Sequence, residues 1–361
     1  MNGTGRSPAG TDSLGRIRGL DLTRALALLG MLIVNYELSL GAYGKGPGWL
    51  AALTGSLQGR AAATFVVLAG VGASLGAVRA SASGEVVRRR RARWALVRRG
   101  ALLFAGGCAF WTIWPADILH YYGVWLVLGA SLLFARDGAL VLMHGACVLG
   151  GALFVIFGEY FAHWKLLELT YTDLDTPSGF LRNLMFDGWH PVLPWFALYV
   201  YGMLLGRLDL RSGLIRKWLA GTALCVGALV LALESKLAPP ESLSPGPWHL
   251  LRTSSFPPTP AFVEFGACVA TVAIVLGIEV ERRLPRLFRP VVETGQLALT
   301  HYVAQVFVGL GALEAAGRLG DQSLPFAVAA ALTFFAASLA FSVLWLRSFR
   351  RGPLEALLRS V

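Results

Sequence analysis

The sequence predicts an all-α fold, a polytopic membrane helix bundle with about ten transmembrane helices. The first observation behind this prediction is the composition. Of the 361 residues, 15% are charged and 55% are hydrophobic, and the mean hydropathy is +0.60. Soluble domains carry about 25% charged residues, so this chain has too few charges to cover a water-exposed surface. Secreted, fibrous, disordered and DNA-binding proteins are excluded on the same ground.

The second observation is a series of ten apolar runs. Each is close to the roughly 20 residues that a helix needs to cross a bilayer, and joins rich in proline and glycine separate them. The predicted spans are 20–42, 58–79, 94–113, 117–135, 138–158, 190–208, 214–234, 260–280, 294–313 and 323–346.

The distribution of basic residues predicts the orientation of these spans. Lys and Arg concentrate in cytoplasmic loops of membrane proteins. If the N-terminus is cytoplasmic, all but seven of the 32 Lys and Arg residues lie on the inside. We therefore expect both termini in the cytoplasm and the protein in the inner (plasma) membrane. The net charge of +11 then reflects the inside loops, and we expect no nucleic-acid partner.

The domain organisation follows from the spans. We expect one transmembrane domain over 20–346, a disordered cytoplasmic segment over 1–19 and a basic cytoplasmic tail over 347–361. Two long loops, at about 159–189 and 235–259, both fall on the outside. Loops longer than about 12–15 residues usually bind or cover something, so the outer face is the expected place for a substrate.

The first predicted span carries a polar stripe. Asp21, Arg24, Leu28, Met31 and Asn35 follow one another at intervals of three or four residues and therefore share one helical face. The stripe is either a clamp between helices or the lining of a path for a charged ligand that enters from the cytoplasm.

Two acid–histidine pairs lie at the predicted outer level. Asp117 and His120 are three residues apart, as are Asp187 and His190. A carboxylate at this spacing can orient an imidazole, so each pair is a candidate catalytic site or a structural contact. Pro191 makes the start of the sixth span irregular, which is tolerated where a helix lines a cavity. The cysteines and histidines show no metal-binding spacing, so we expect no metal.

These segments resemble a known family. The run from Gly19 to Tyr36 is similar to the opening helix of heparan-alpha-glucosaminide N-acetyltransferase-like membrane proteins and of the related bacterial YeiB-like group. The runs 59–75, 117–123, 190–206 and 297–302 continue the likeness in order.

The resemblance implies a membrane acyltransferase. Such an enzyme takes an acetyl or other acyl group from cytoplasmic acyl-CoA and delivers it to a hydroxyl or amine on the far side. A sugar, an envelope glycan, a lipid headgroup or a small molecule all fit as acceptor. Asn35 falls on the asparagine that the family uses near the reacting group. Gly46 stands where the family has a histidine, so His190 and His120 are the remaining candidate bases, with Asp187 and Asp117 as their partners.

The resemblance and the charge pattern together suggest a site for the donor. Asp21, Arg24, Arg60, Arg98 and Arg99 are the candidate residues that bind acyl-CoA. Arg60 has a second interpretation, a side chain that snorkels to the membrane surface. Other expected partners are membrane lipid and, as an option, a second copy of the chain. The alternative function is a multi-span transporter or lipid-binding protein without catalysis; a single broken span and no internal repeat count against transport.

Overall fold

The computed structural model describes residues 16–81, 85–165, 168, 170–238 and 247–360. Within these ranges the regular secondary structure is almost all helical. The helices in chain order are α1 (Arg18–Ser39), α2 (Gly48–Leu57), α3 (Arg60–Ser81), α4 (Val86–Trp111), α5 (Leu119–Leu132), α6 (Asp137–Phe157), α7 (Pro177–Arg182), α8 (Val192–Leu205), α9 (Gly213–Leu237), α10 (Pro260–Arg283), α11 (Arg289–Gln296), α12 (Ala298–Ala304), α13 (Gly311–Ala315), α14 (Leu324–Ser348) and α15 (Pro353–Ser360).

Shorter elements connect these helices. Asn183–Asp187 and Gln305–Leu310 are π-helical, and Pro247–Leu251 is a 3-10 turn. Strands β1 (Trp164–Lys165) and β2 (Thr170–Tyr171) form an antiparallel hairpin in which Trp164 pairs with Tyr171. The hairpin lies in the first of the two long predicted loops. Residues 239–246 of the second predicted loop are outside the described residues.

The chain is a multi-pass membrane protein. In its described part, six helices are long and apolar enough to cross a membrane, or seven if a bent pair counts as one span. The six are Arg18–Ser39, Gly48–Ser81, Asp137–Phe157, Gly213–Leu237, Pro260–Arg283 and Leu324–Ser348. Every predicted span falls on a helix, but α5 and α8 have only 14 residues each. Ten spans and cytoplasmic termini therefore remain predictions.

Two apolar helices are broken, where the sequence predicted one break. In α8, Leu193 has a non-helical backbone (φ −101°, ψ 116°), as expected for the proline-rich start of that span. The second break is at Leu297, where α11 and the following helical segment Ala298–Ala315 are bent by 75°. Glu355 of α15 accepts hydrogen bonds from the backbone amides of Leu299 and Thr300 at 2.8 and 3.1 Å. Leu299 and Thr300 lie in the first turn of α12, where backbone amides have no acceptor within the helix, and Glu355 supplies that acceptor.

Helix α1 is the centre of the bundle. It contacts α3, α10, α11 and α14, and Leu28 and Leu32 on it are fully buried. Helix α8 packs on the far side of α3 at very short range, since a Cβ added at Gly202 would collide with the Val67 carbonyl oxygen. The central helix and its neighbours therefore form a rigid frame around the site.

The ends of the chain differ from the simple tails that the sequence predicted. Residues 1–15 of the N-terminal segment are outside the described residues. Arg18 and Gly19, predicted to be disordered, belong to α1. At the other end, α15 forms within the predicted basic tail and contacts α4 and α12. The C-terminal segment is therefore part of the bundle.

Candidate functional site

Two neighbouring cavities lie between the helices in the described part of the chain. The histidine cavity, of about 460 Å³, takes its name from His190. Its polar lining residues are Asn35, Tyr43, Gln58, Arg60, Trp189, His190, Trp195, Thr253, Ser254, Ser255 and Tyr302. The arginine cavity, of about 360 Å³, is lined by Arg16, Arg24, Arg99 and Arg359 together with Glu355, Gln296, two tyrosines and apolar residues.

One wall divides the two cavities. Met31, Ile118 and Tyr302 line both of them. Because the same three residues face both spaces, a single layer of side chains separates the cavities there. Met31 comes from the polar stripe on α1, which the sequence interpreted as a path through the bundle. The structure divides that path: Arg24 lines one cavity and Asn35 lines the other.

Asn35 and His190 line the same cavity, as the sequence suggested. In the described part of the chain, the Asn35 side-chain amide makes no hydrogen bond. His190 Nδ1 is buried and also has no partner among the described residues. Ring packing holds the imidazole instead, with ring centroids 4.7 Å from Trp195 and 5.9 Å from Tyr121.

The predicted pairing of Asp187 with His190 does not form. The Asp187 carboxylate accepts a hydrogen bond from the Tyr171 hydroxyl at 2.8 Å and lies 3.7 Å from Arg182 Nε. The π-helical turn Asn183–Asp187 ends at Asp187 and the chain continues extended at Gly188, so residues 187 and 190 do not share a helical face. Burial raises the pKa of the Asp187 carboxyl, although the Tyr171 hydrogen bond and the Arg182 charge act in the opposite direction. The hydrogen bond from Tyr171 to Asp187 thus connects strand β2 to the bundle.

The predicted pairing of Asp117 with His120 does form. Asp117 Oδ2 lies 2.9 Å from His120 Nδ1 and also accepts a hydrogen bond from the His120 backbone amide at 3.1 Å. Both residues are buried. The His120 ring packs on Tyr121 with a centroid distance of 3.9 Å and lines neither cavity. Tyr121 therefore lies between the two candidate histidines, and of the two only His190 reaches the cavity lining.

The arginine cavity has a positively charged rim. Buried Asp21 accepts hydrogen bonds from Arg24 at 2.7 Å and from Arg16 at 2.6 and 2.9 Å. Burial lowers the pKa of Arg359, and so do the charges of Arg99, Arg351 and Arg16. Cations that lower one another's pKa leave a net positive potential, which favours an anionic ligand.

The predicted donor-binding residues divide into three groups. Arg24 and Arg99 line the arginine cavity, and Asp21 holds Arg24. Arg98 is exposed and lines no described cavity, because adjacent residues on α4 point in directions about 100° apart. Arg60 lines the histidine cavity, where it donates hydrogen bonds to the Thr253 carbonyl and hydroxyl oxygens at 3.1 and 2.9 Å. Arg98 and Arg60 therefore do not line the arginine cavity.

Sequence reasoning missed two residues of this site. Arg359 and Glu355 lie on α15, in the segment that the sequence suggested was only a basic tail. The amphipathic pattern of Pro353–Ser360, with Leu354, Leu357 and Leu358 between charged positions, was the available signal.

Gly46, which replaces the histidine expected from the resemblance, is closely packed. A Cβ added there would lie 2.8 Å from Leu324 Cβ. The loop between α1 and α2 therefore rests directly on the start of α14 and has no room for a larger side chain in this conformation.

Comparison with known families identifies the chain. The model described as heparan-alpha-glucosaminide N-acetyltransferase, catalytic, matches residues 16–227. The chain belongs to this N-acetyltransferase family. A model described as protein of unknown function (DUF418) matches residues 202–361. The two matches confirm the predicted resemblance. No curated protein matches the chain.

Both matched regions contribute to the site of this family member. Asn35, His120 and His190 fall in the N-acetyltransferase match, whereas Tyr302 and Arg359 fall in the second. Membership of the family indicates a membrane acetyltransferase, and such enzymes in general use an acyl-CoA co-substrate. Among the described residues, no group of three or more His, Cys, Asp or Glu side chains is arranged to hold a metal ion.

Proposed function

We propose that this N-acetyltransferase family member transfers an acyl group from cytoplasmic acyl-CoA to a hydroxyl or amine of an acceptor on the outer side of the inner membrane. The donor would occupy the arginine cavity and the acceptor the histidine cavity. One observation carries the proposal: Met31, Ile118 and Tyr302 line both cavities. Ligands bound there would be separated by one layer of side chains, so transfer would require that layer to open.

The charges support the assignment of the donor. Coenzyme A carries several phosphate groups, and arginine binds phosphate through two parallel N–H donors. Arg24, Arg99 and Arg359 line one cavity, and the mutual repulsion of these side chains would decrease when an anion binds. The bias of basic residues towards the predicted cytoplasmic side supports a position of this cavity on the side where acyl-CoA would be available.

Acyl transfer needs a base and a hydrogen-bond donor to the oxyanion, and the histidine cavity offers candidates for both. His190 would accept the proton from the acceptor while the acceptor oxygen or nitrogen attacks the thioester carbonyl carbon. The Asn35 amide would donate to the negative oxygen of the tetrahedral intermediate. The carbon–sulfur bond then breaks, and the proton held by His190 passes to the sulfur, giving the acylated acceptor and free CoA. His120, with its tautomer held by Asp117, is the second candidate base.

The acceptor site is rich in aromatic side chains. Trp189 is stacked on Phe256 with a centroid distance of 4.9 Å and an interplanar angle of 22°, and both line the histidine cavity. Such faces suit the rings of a sugar or envelope glycan, and lipid headgroups or small molecules remain open as acceptors.

Calorimetry on the detergent-purified protein tests the donor site. We expect acetyl-CoA to bind, and Arg99→Ala to weaken binding about tenfold or more because a charged hydrogen bond contributes about 1.5–3 kcal/mol. Arg98→Ala is the matched control: this exposed neighbour lines no described cavity, so its removal leaves binding unchanged. No acetyl-CoA binding at millimolar concentration would contradict the proposal, as would equal losses in the two variants.

Transport is the second candidate function. The breaks at Leu193 and Leu297 favour it, because broken helices commonly form transporter sites. Purified protein in liposomes separates the two functions. Acyl transfer to an acceptor supports the enzyme, whereas movement of an unmodified solute without transfer supports the transporter.

A further inference from the structure

A third cavity opens beside the arginine cavity. It is an apolar groove of about 330 Å³ between α4, α12 and α15. All of its lining residues are apolar, and they include Gly106, Phe110, Ile113, Val303, Phe307 and Leu357. Ile113 and Phe307 are more than half exposed, so the groove is open along one side. Its chemistry suits a hydrocarbon chain and no charged or hydrogen-bonding ligand.

The groove adjoins the arginine cavity. Leu103, Leu119, Leu299 and Leu358 line both. At its inner end Phe110 contacts Tyr302, with ring centroids 6.3 Å apart. Tyr302 belongs to the wall where the proposed function puts the thioester. A chain in the groove therefore ends beside both the cationic cavity and the dividing wall.

Helix α15 separates the two environments. Leu354 and Leu357 line the apolar groove, whereas Glu355 and Arg359 line the arginine cavity. Leu358 lines both. One short amphipathic helix thus presents charge to one space and hydrocarbon to the other, which is the pattern that a ligand with an anionic head and an apolar chain requires.

We propose that the groove binds the acyl chain of the donor, so that the enzyme uses acyl-CoA with a chain longer than acetyl. This inference rests on the proposed function, because it assumes that the head of the donor lies in the arginine cavity. The bonds formed and broken are those of the transfer already described. Each buried methylene contributes about 0.8 kcal/mol, which is about fourfold in affinity. We expect octanoyl-CoA to bind at least about tenfold more tightly than acetyl-CoA, allowing for incomplete burial in an open groove.

Gly106 offers a direct test of the groove. A Cβ added there would meet no atom within 4 Å, so Gly106→Leu introduces a side chain at the groove with open space at its first carbon. Gly145 on α6 has equally free space and lines neither the groove nor the two cavities. Gly145→Leu is therefore the matched control, and normal purification of both variants in lipid nanodiscs shows that they fold.

The measurement is the affinity of acetyl-CoA and octanoyl-CoA for the wild type and the two variants in nanodiscs, with empty nanodiscs subtracted. The inference predicts that the wild type and Gly145→Leu bind octanoyl-CoA much more tightly than acetyl-CoA. In Gly106→Leu, the two donors should bind with nearly equal affinity. If acetyl-CoA binds but octanoyl-CoA binds no more tightly, the groove holds membrane lipid and the inference is wrong, while the proposed function stands. The inference is also wrong if Gly106→Leu still binds octanoyl-CoA much more tightly than acetyl-CoA. Failure of both donors to bind contradicts the proposed function itself.

Discussion

The hydroxyl of Tyr302 accepts a hydrogen bond from the backbone amide of Ile118 at 3.3 Å. This bond joins α12 to the residue just before α5, and both residues line the two cavities. Ile118 and Tyr302 are buried. The wall between the proposed donor and acceptor sites is therefore held by a specific contact between distant parts of the chain.

Tyr302→Phe tests the contribution of this contact to stability. The substitution keeps the ring but leaves the buried Ile118 amide without its acceptor, which costs about 1–3 kcal/mol. We expect a lower thermal unfolding temperature in detergent. Tyr122→Phe is the control, because in the described part of the chain the Tyr122 hydroxyl makes no hydrogen bond. An equal decrease in both variants would show that the Ile118 contact has no special role.

His190→Ala tests the choice of base. General acid–base catalysis contributes about 100-fold or more, so we expect acyl transfer to fall by at least that factor. Acetyl-CoA binding should remain, since the residue does not line the arginine cavity. His120→Ala is the comparison, with a smaller expected loss. Full residual transfer in His190→Ala would remove this residue from the mechanism, and a larger loss in His120→Ala would make His120 the base.

Glu355→Ala tests the cap on α12. The Glu355 carboxylate also accepts a hydrogen bond from the Thr300 hydroxyl at 2.6 Å, so the variant removes three contacts from one helix start. Loss of a cap costs about 0.5–2 kcal/mol. We expect a lower unfolding temperature and weaker donor binding. Glu314→Ala, an exposed carboxylate on α13, should change neither. Unchanged stability in Glu355→Ala would contradict a capping role.

The burial of Asp187 leads us to expect that the free energy of unfolding depends on pH. Burial raises the pKa of this carboxyl in the folded protein, so the folded state binds the proton more tightly than the unfolded state does. The wild type should therefore gain stability as the pH falls through the raised folded value towards the ordinary value of about 3.9. The Asp187→Asn variant has no ionisable side chain at this position. Unfolding temperatures of both proteins across this range should diverge, and parallel curves would show that Asp187 does not titrate on folding.

The sequence was sufficient to predict the helical membrane fold and part of the site. Hydrophobic runs and local spacing predict helices and i, i+3 contacts well, which is why the Asp117–His120 pair formed as expected. Asn35 and His190 also line one cavity: the resemblance implied a place near the reacting group for Asn35, and His190 was one of two candidate bases at the predicted outer level.

The other features depend on contacts that spacing alone does not encode. Asp187 failed to meet His190 because a π-helical turn ends between them. The break at Leu297 was missed because the residue that stabilises it, Glu355, is 56 residues away from Leu299 along the chain. The first case is a local departure from regular helical geometry, and the second is decided by a long-range contact.

The position of α15 has a thermodynamic consequence. The same helix caps the start of α12 through Glu355 and presents Arg359 to the arginine cavity. A ligand that holds Arg359 in place therefore also favours the closed cap, and by linkage a closed cap favours the ligand. Donor binding should then slow hydrogen exchange at the amides of Leu299 and Thr300, far along the chain from α1. Through α15, ligand binding in the arginine cavity would therefore stabilise the start of α12, the helix that carries Tyr302 in the lining of the histidine cavity.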